Sequence, residues 1–432
     1  MRYKNLFYKS LDFLDKKKVK MRTILHSDLN NFYASVEVLK HPEFKDVPLV
    51  VCGSVEDRHG IVLAKNQIAK EFNIKTGDVL WEAEQKCKNV VSVLADHYSY
   101  EQMSKRVRKI YERFTDHIEP FGIDECWLDV TDSVKLFGSG EQIAEKIRIA
   151  VKEELGLTVS IGVSFNKVFA KLGSDMKKPD AITVIDASNF KQKVWPLNAR
   201  DLLFVGKSTG AKLNAIGIHT IGDIATTDPK VLEGLLGVWG KTLYNYANGL
   251  DSSPVESRIG DVKSIGNSLT DYKDLYTFDE VKTLLMLLSE SVASRLRESG
   301  LGKAKTVKIT ITDNQLQTFG KQTKLQYPSS SAIDIANTAY SLFESIYKWE
   351  NPVRAAGVSV CDFTLNTEQT FMDFEQDKHQ KNQRLDQAVD GIRKKYGNAS
   401  IRHARILQDK KLASTDIKGD PFGKNTVKEK VK

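Results

Sequence analysis

Three carboxylates, at two widely separated places in the chain, have the types and surroundings to act together. Asp28 ends the apolar run Ile24-Leu25-His26-Ser27 and precedes Asn30-Asn31-Phe32-Tyr33-Ala34-Ser35-Val36-Glu37. Asp124 and Glu125 occupy the tip of Phe121-Gly122-Ile123-Asp124-Glu125-Cys126-Trp127-Leu128-Asp129-Val130. Adjacent carboxylates repel, so an Asp-Glu pair between two apolar runs is costly unless a cation sits there. A third carboxylate at another strand end completes the hard-oxygen set that magnesium prefers. Two magnesium ions held this way support in-line phosphoryl or nucleotidyl transfer. A single Asp in a turn is usually just a solvated turn residue. Asp129, further along the same run, reads as structural, because the ligand set is already complete without it.

The elements around these residues are legible from periodicity. Residues 22–29 read as a buried strand and 31–39 as a helix with Phe32, Val36 and Leu39 on one side. Residues 48–52 form a short apolar strand, and 60–72 a strand passing into a helix that Gly77 ends. An amphipathic helix is expected over 98–114, with Met103, Val107, Ile110, Tyr111 and Phe114 inward. Strands 118–121 and 126–130 flank the tight turn that carries Asp124-Glu125, where Gly122 permits unusual dihedrals. A helix at 143–155 and a strand at 157–163 follow. From Trp195 the texture changes to short helical runs punctuated by glycines. Val205-Gly206-Lys207-Ser208-Thr209-Gly210-Ala211-Lys212-Leu213 reads as a helix-hairpin-helix, whose glycine turn can bring backbone N–H groups to a phosphate. Thr220 to Asp223 has the capping-box pattern of a helix start. Residues 252–263 read as a linker. After it, strand, helix, two strands, helix and strand follow in a β-α-β-β-α-β order across 264–362. Its clearest strand alternates Val307, Ile309 and Ile311 with Lys308, Thr310 and Thr312.

Composition bounds the partners. The chain has 432 residues, enough for two to four domains, and a net charge of +8. Its isoelectric point near 9.0 suits a polyanionic partner. The four cysteines, Cys52, Cys87, Cys126 and Cys361, form no C-x-x-C pair, so a zinc site or disulfide framework is not expected, and a reducing, cytoplasmic setting is. No apolar stretch is long enough to span a membrane. Residues 1–20 lack the apolar core of a secretory signal and read as an N-terminal extension.

The segments Asp28 to Glu37 and Ile123 to Asp129 resemble the two catalytic motifs of Y-family DNA polymerases, and most of all the polymerase IV branch. Gly162-Val163-Ser164-Phe165-Asn166-Lys167-Val168-Phe169-Ala170-Lys171 with Ser174-Asp175-Met176-Lys177-Lys178-Pro179, and the glycine-punctuated stretch, agree with it. The resemblance runs from about residue 21 to about residue 374. It implies an α+β multidomain fold, a right hand with palm (21–38 and 96–190), fingers (39–95), helix-hairpin-helix thumb (191–251), linker (252–263) and little finger (264–362). A C-terminal tail (363–432) would carry a clamp-binding peptide.

The implied reaction is error-prone, template-directed translesion synthesis, with dNTP added to a primer 3′-hydroxyl and no proofreading. Asp28 and Asp124 would bridge two Mg²⁺ ions, with Glu125 on the ion nearest the primer and the Leu29 carbonyl as a further ligand. Tyr33 matches the steric gate, whose ring excludes a 2′-hydroxyl by bulk. Asn31, Phe32, Tyr33, Gln67, Lys70 and Lys178 match nucleotide-binding positions, and Gly206, Lys207 and Thr209 match DNA-binding ones. Gln369, Met372 and Phe374, in Gln369-Thr370-Phe371-Met372-Asp373-Phe374, match the peptide that docks on a sliding clamp. The expected partners are primer-template DNA, dNTP and the clamp, with the chain a monomer away from membranes.

The chain departs from the family pattern at four positions. Gln67 stands for a common tyrosine, Lys70 for an arginine, Gly122 for a serine and Phe204 for a glycine. A lysine cannot reproduce the bidentate grip of an arginine on phosphate. Two other readings compete: a non-catalytic DNA- and clamp-binding paralogue, and another palm-type nucleotidyl transferase such as a cyclase. The intact carboxylates argue against the first. The hairpin-rich thumb and basic final domain argue against the second.

Overall fold

The run Ile24–Leu29 is the middle strand of a five-stranded sheet, and every one of its residues is buried. The structure, a computed structural model, describes residues 22–54, 60–256, 262–365, 375–398 and 400–415. The 1–20 extension and the clamp peptide with Gln369, Met372 and Phe374 lie outside these residues. The chain divides into two units, Met1–Val47 with Ser99–Ile259, and Pro48–Tyr98 with Gly260–Lys432.

In the first unit the sheet runs Ile118–Pro120, Glu125–Asp129, Ile24–Leu29, Val159–Ser164, Ile182–Ile185. The central strand is antiparallel to both neighbours, and its register sets Asp28 opposite Glu125 on one side and Ser160 on the other. The helices Phe32–Lys40, His97–Tyr111 and Gly140–Leu155 cover it, close to their expected bounds. Leu39 is a correction: it is 41% exposed, while Glu37 is buried in its place and bonded to Tyr100.

One more helix, Lys167–Met176, packs tightly on the sheet. Two glycines permit the approach. A Cβ at Gly162 would lie 1.9 Å from the Ala170 carbonyl oxygen and 2.6 Å from the Ser174 nitrogen, and Gly173 would meet the Gly162 Cα at 3.1 Å. Both obstacles at Gly162 are backbone, so no rotamer change relieves them. Gly162→Ala should therefore cost at least about 3 kcal/mol of unfolding free energy in denaturant titration, and a loss below about 1 kcal/mol would contradict this packing. The opposite face of that helix shares a core with the short helices that follow, through Phe169, Leu172, Val194, Leu213, Ile221, Leu232 and Leu243. Thr220 caps the helix Ile221–Thr226 with the expected capping box to Asp223.

The second unit contains a three-stranded sheet, ordered Val62–Lys65, Leu49–Cys52, Val91–Leu94. It also contains an antiparallel four-stranded sheet, ordered Thr318–Ser329, Lys303–Asp313, Val353–Thr364, Ser264–Leu275. With the helices Phe278–Ser299 and Ala332–Ile346 the latter gives the expected β-α-β-β-α-β order. Val307, Ile309 and Ile311 are fully buried, as their alternation required. The polar stretch read as a tail is more ordered than its composition suggests. Glu375–Tyr396 is a helix, and Ile406 and Leu412 join the core of the four-stranded sheet. Polar contacts hold it: Arg393 to Glu290 at 2.7 Å, and Arg297 to both carboxylate oxygens of Asp390 at 2.6 and 2.9 Å.

Candidate active site

The carboxylate site forms where the central strand ends beside the Glu125–Asp129 hairpin. Leu29 N donates to the Asp124 carbonyl at 3.1 Å, which ties the residue after Asp28 to the backbone of Asp124 and so joins the two sequence motifs. Gly122, at φ 95°, takes the turn in a conformation that the family's serine would enter only under strain. Ser104, on the helix His97–Tyr111, donates to the Ile123 carbonyl and pins the turn from behind. Asn30 is buried and spans three segments: Nδ2 donates to Ser160 Oγ at 2.9 Å, and Oδ1 accepts from Asp180 N at 2.8 Å. Asn31 then takes the left-handed conformation, φ 49°, and launches the helix that carries Phe32 and Tyr33.

Two lysines reach into the carboxylates. Lys171 Nζ is 3.2 Å from Asp28 Oδ2, 3.0 Å from Glu125 Oε2 and 3.1 Å from Asp175 Oδ2. Lys178 Nζ is 2.8 Å from Asp28 Oδ2 and 2.9 Å from Asp175 Oδ1. Behind Glu125 lies fully buried His26, with Nε2 at 3.3 Å from Oε2. Ser174 Oγ spends its hydrogen on the Lys171 carbonyl, so it accepts from His26 Nδ1 at 2.8 Å. That bond fixes the ring with Nε2 toward Glu125.

The electrostatics separate the carboxylates. Burial, and then repulsion from Asp28 and Glu125, push Asp124 up to about 6. Burial works the same way on Glu125, but His26, in the form that carries a proton on Nε2 as well as Nδ1, and the Lys171 ammonium outweigh it and hold the carboxyl below its usual range. Burial opposes the charge on Lys171, yet Asp28, Asp175 and Glu125 together hold its ammonium above the usual lysine range. Lys178 is raised in the same sense, chiefly by Asp28 against the pull of burial. Burial lowers His26.

Tyr33 is half-buried beside this group. Its ring stacks on Tyr100, with centroids 4.2 Å apart and planes 13° from parallel. Tyr100 is fully buried and donates to Glu37 Oε1 at 2.7 Å, so the platform under Tyr33 is rigid. Burial, with Asp124 adding to it, raises the Tyr33 hydroxyl.

The donor chemistry fits a hard divalent cation. Asp28, Asp124 and Glu125 offer only carboxylate oxygens, and Asp124 has no ion pair among the described residues. Glu125 Oε2 is buried without a well-directed hydrogen bond. No three such groups among the described residues already converge as a finished cage. Lysine contacts take up Asp28 and Glu125 instead.

Other expected site residues lie on other elements. Gln67 and Lys70, both exposed, sit on the helix Gln67–Glu71 of the second unit. Gly206 caps the helix Lys207–Asn214, with Lys207 exposed and Thr209 in its first turn. Phe204 adopts φ 69°, as the usual glycine would, and lays its ring on Trp239 with centroids 5.4 Å apart. Asp129 is structural: Oδ1 accepts from Thr131 N at 3.0 Å, and Arg22 lies 3.7 Å away. Lys171, Asp175, His26, Ser174 and Tyr100 were not singled out by sequence. The one available sign was Lys171 itself, a charge in the middle of a helix whose neighbours Val168, Phe169, Ala170, Leu172 and Ser174 are buried.

Comparison with known proteins agrees with this architecture. The impB/mucB/samB family matches residues 27–175, and the C-terminal domain of that family matches residues 262–373. DNA polymerase IV of Acetivibrio thermocellus is 51% identical over 90% of this chain and 99% of its own length. DNA polymerase IV 1 of Bacillus subtilis is 34% identical over 96% of this chain and 99% of its own. Among solved structures, a chimeric Y-family DNA polymerase aligns with a TM-score of 0.70 and 25% identity, over 80% of this chain and 100% of its own. A strand register that sets Asp28 against Glu125, within a chain similar to these polymerases along nearly its whole length, leaves one conclusion: the chain belongs to the Y family of DNA polymerases, of the DNA polymerase IV type, and is a DNA-directed DNA polymerase.

Proposed function

We propose that the chain extends a primer on template DNA with deoxynucleoside triphosphates by a two-magnesium mechanism, in the manner of a translesion polymerase. The observation that carries this reading is the register of Asp28 opposite Glu125, with Asp124 one residue earlier on the same turn. Asp28 and Asp124 would hold both ions, Glu125 the ion beside the primer, and the Leu29 carbonyl would assist. When bound, the ions lower the pKa of the primer 3′-hydroxyl and neutralise the triphosphate and leaving pyrophosphate.

The chain's own residues do the rest. Lys178 is positioned to exchange its contact with Asp28 for a phosphate oxygen, as a point charge. Gln67 and Lys70 bear on the triphosphate, and Asn31 and Phe32 set the backbone over which the sugar lies. Tyr33, braced by Tyr100, excludes a 2′-hydroxyl. Gly206, Lys207 and Thr209 hold DNA phosphate at a helix start. We read palm as residues 21–38 and 96–190, fingers as 39–95, thumb as 191–251 and little finger as 264–362. The proposed synthesis proceeds without proofreading. The enzyme works as a cytoplasmic monomer, and no helix among the described residues could cross a membrane.

Primer extension in magnesium tests this. Extension should require template and divalent metal, and DNA binding should fall by at least about tenfold between low and physiological salt. Extension that survives chelation, or binding that ignores salt, would contradict it. Gln369, Met372 and Phe374 are proposed as anchors on the sliding clamp. Deleting residues 369–374 should reduce clamp-stimulated extension at least several-fold and leave extension on bare primer-template unchanged. Loss of both activities would instead mean that the peptide supports folding.

A further inference from the structure

Lys171 stands among the proposed metal ligands, and nothing in the reaction above uses it. Its ammonium is nearly equidistant from Glu125 Oε2 at 3.0 Å and Asp28 Oδ2 at 3.2 Å. The side chain is only 14% exposed. Its helix is fixed on the sheet by the Gly162 contact, so the ammonium has a short range of travel. Lys178 differs: it touches Asp28 but has no contact with Glu125, and its side chain is 32% exposed.

A monovalent charge in front of these two oxygens occupies ground that a divalent ion shared by them also needs. Two cations a few ångströms apart repel strongly in a partly buried site. Lys171 has somewhere to go. Asp175, one helical turn on, already accepts from it at 3.1 Å and has a 45% exposed side chain. A small rotation of the lysine stem would keep that bond and release the other two. We propose that Lys171 is a resident counter-cation: it neutralises Asp28 and Glu125 in the metal-free protein, retreats to Asp175 when a divalent ion binds, and thereby holds down the intrinsic metal affinity of the site. This rests on reading Asp28, Asp124 and Glu125 as the ligands.

Two consequences follow, of opposite sign. Without metal, removing the ammonium leaves the carboxylates to repel, so the protein loses stability. With metal, removing it takes away a competitor, so binding tightens. A lysine that instead helped to hold the metal or its ligands would give weaker binding on removal.

The test uses Mn²⁺ alone, without DNA or nucleotide, titrated against full-length protein while free Mn²⁺ is followed by paramagnetic resonance. Lys171→Met keeps the stem and removes the charge. It should bind Mn²⁺ about tenfold more tightly than the parent and melt at a lower temperature in chelator. Lys171→Arg should stay near the parent in affinity. Equal or weaker Mn²⁺ binding by Lys171→Met would overturn the proposal. Asp124→Asn separates the two layers of reasoning. If it leaves Mn²⁺ binding intact, the ligand assignment fails. If it weakens binding while Lys171→Met does not tighten it, the counter-cation alone fails. Should Lys171→Met not fold, a Mn²⁺-bound structure of the parent decides. Nζ should have left Glu125 Oε2 and kept Asp175, and an ammonium still bridging Asp28 and Glu125 beside bound metal would refute it.

Discussion

Asp124→Asn should abolish primer extension, lowering kcat by at least about 10³-fold, and at the same time make the metal-free protein more stable. The second half follows from the charge arrangement. Among the described residues Asp124 is the one carboxylate of the three without a lysine ion pair, and burial with its two acidic neighbours lifts it from 3.8 to about 6. A carboxylate raised in the folded state binds more protons there than in the unfolded chain. Its penalty is absent below about pH 4 and grows as pH rises from about 4 to 6. Above that window the penalty is complete, at about 1–3 kcal/mol after allowance for solvent screening. An asparagine of the same shape removes it. The variant should therefore melt above the parent at pH 7.5 in chelator and close to it at pH 4. Adding magnesium should stabilise the parent and not the variant. Retained extension, or a variant less stable than the parent at pH 7.5, would contradict the role assigned to this residue.

Tyr33→Ala should lower the preference for deoxynucleotides over ribonucleotides on the order of 10²-fold, measured as the ratio of kcat/KM values. The argument is steric. The ring is held by the Tyr100 stack, 4.2 Å away, and cannot turn aside to admit a 2′-hydroxyl. Tyr33→Phe keeps the bulk and should keep most of the discrimination. Tyr100→Leu leaves the gate residue in place but removes its support, so it should give an intermediate loss. Discrimination unchanged in Tyr33→Ala would move the gate to another residue.

Much of this site was legible in the chain. Asp28 and the Asp124-Glu125 pair interrupt apolar runs, and only a strand end or a tight turn accommodates charge there, so their placement followed from sequence. Gly122 at φ 95° confirms the turn. The strand Lys303–Asp313 was legible because one face is core and the other is lysine and threonine. Lys171 was opaque for a different reason. Its position depends on Gly162 and Gly173 meeting across a helix–sheet interface, and its ion pair with Asp28 joins residues 143 apart in the chain. No local period encodes that. The helix Glu375–Tyr396 was missed likewise. Its apolar content is too low to announce a core element, and it is held by Arg393 and Asp390 pairing with Glu290 and Arg297, residues 103 and 93 positions away. Leu39 misled in the opposite direction, since its place on the apolar side of the helix is exposed and the buried group is Glu37, with its own hydrogen bond.

The most direct measurement is anomalous diffraction from a ternary crystal with primer-template, incoming deoxynucleotide and Mn²⁺. Two peaks should appear, both coordinated by Asp28 and Asp124, with Glu125 on the one nearer the primer terminus. Peaks elsewhere, or Asp28, Asp124 and Glu125 turned away from the metal, would contradict the assignment of these three carboxylates as the catalytic centre.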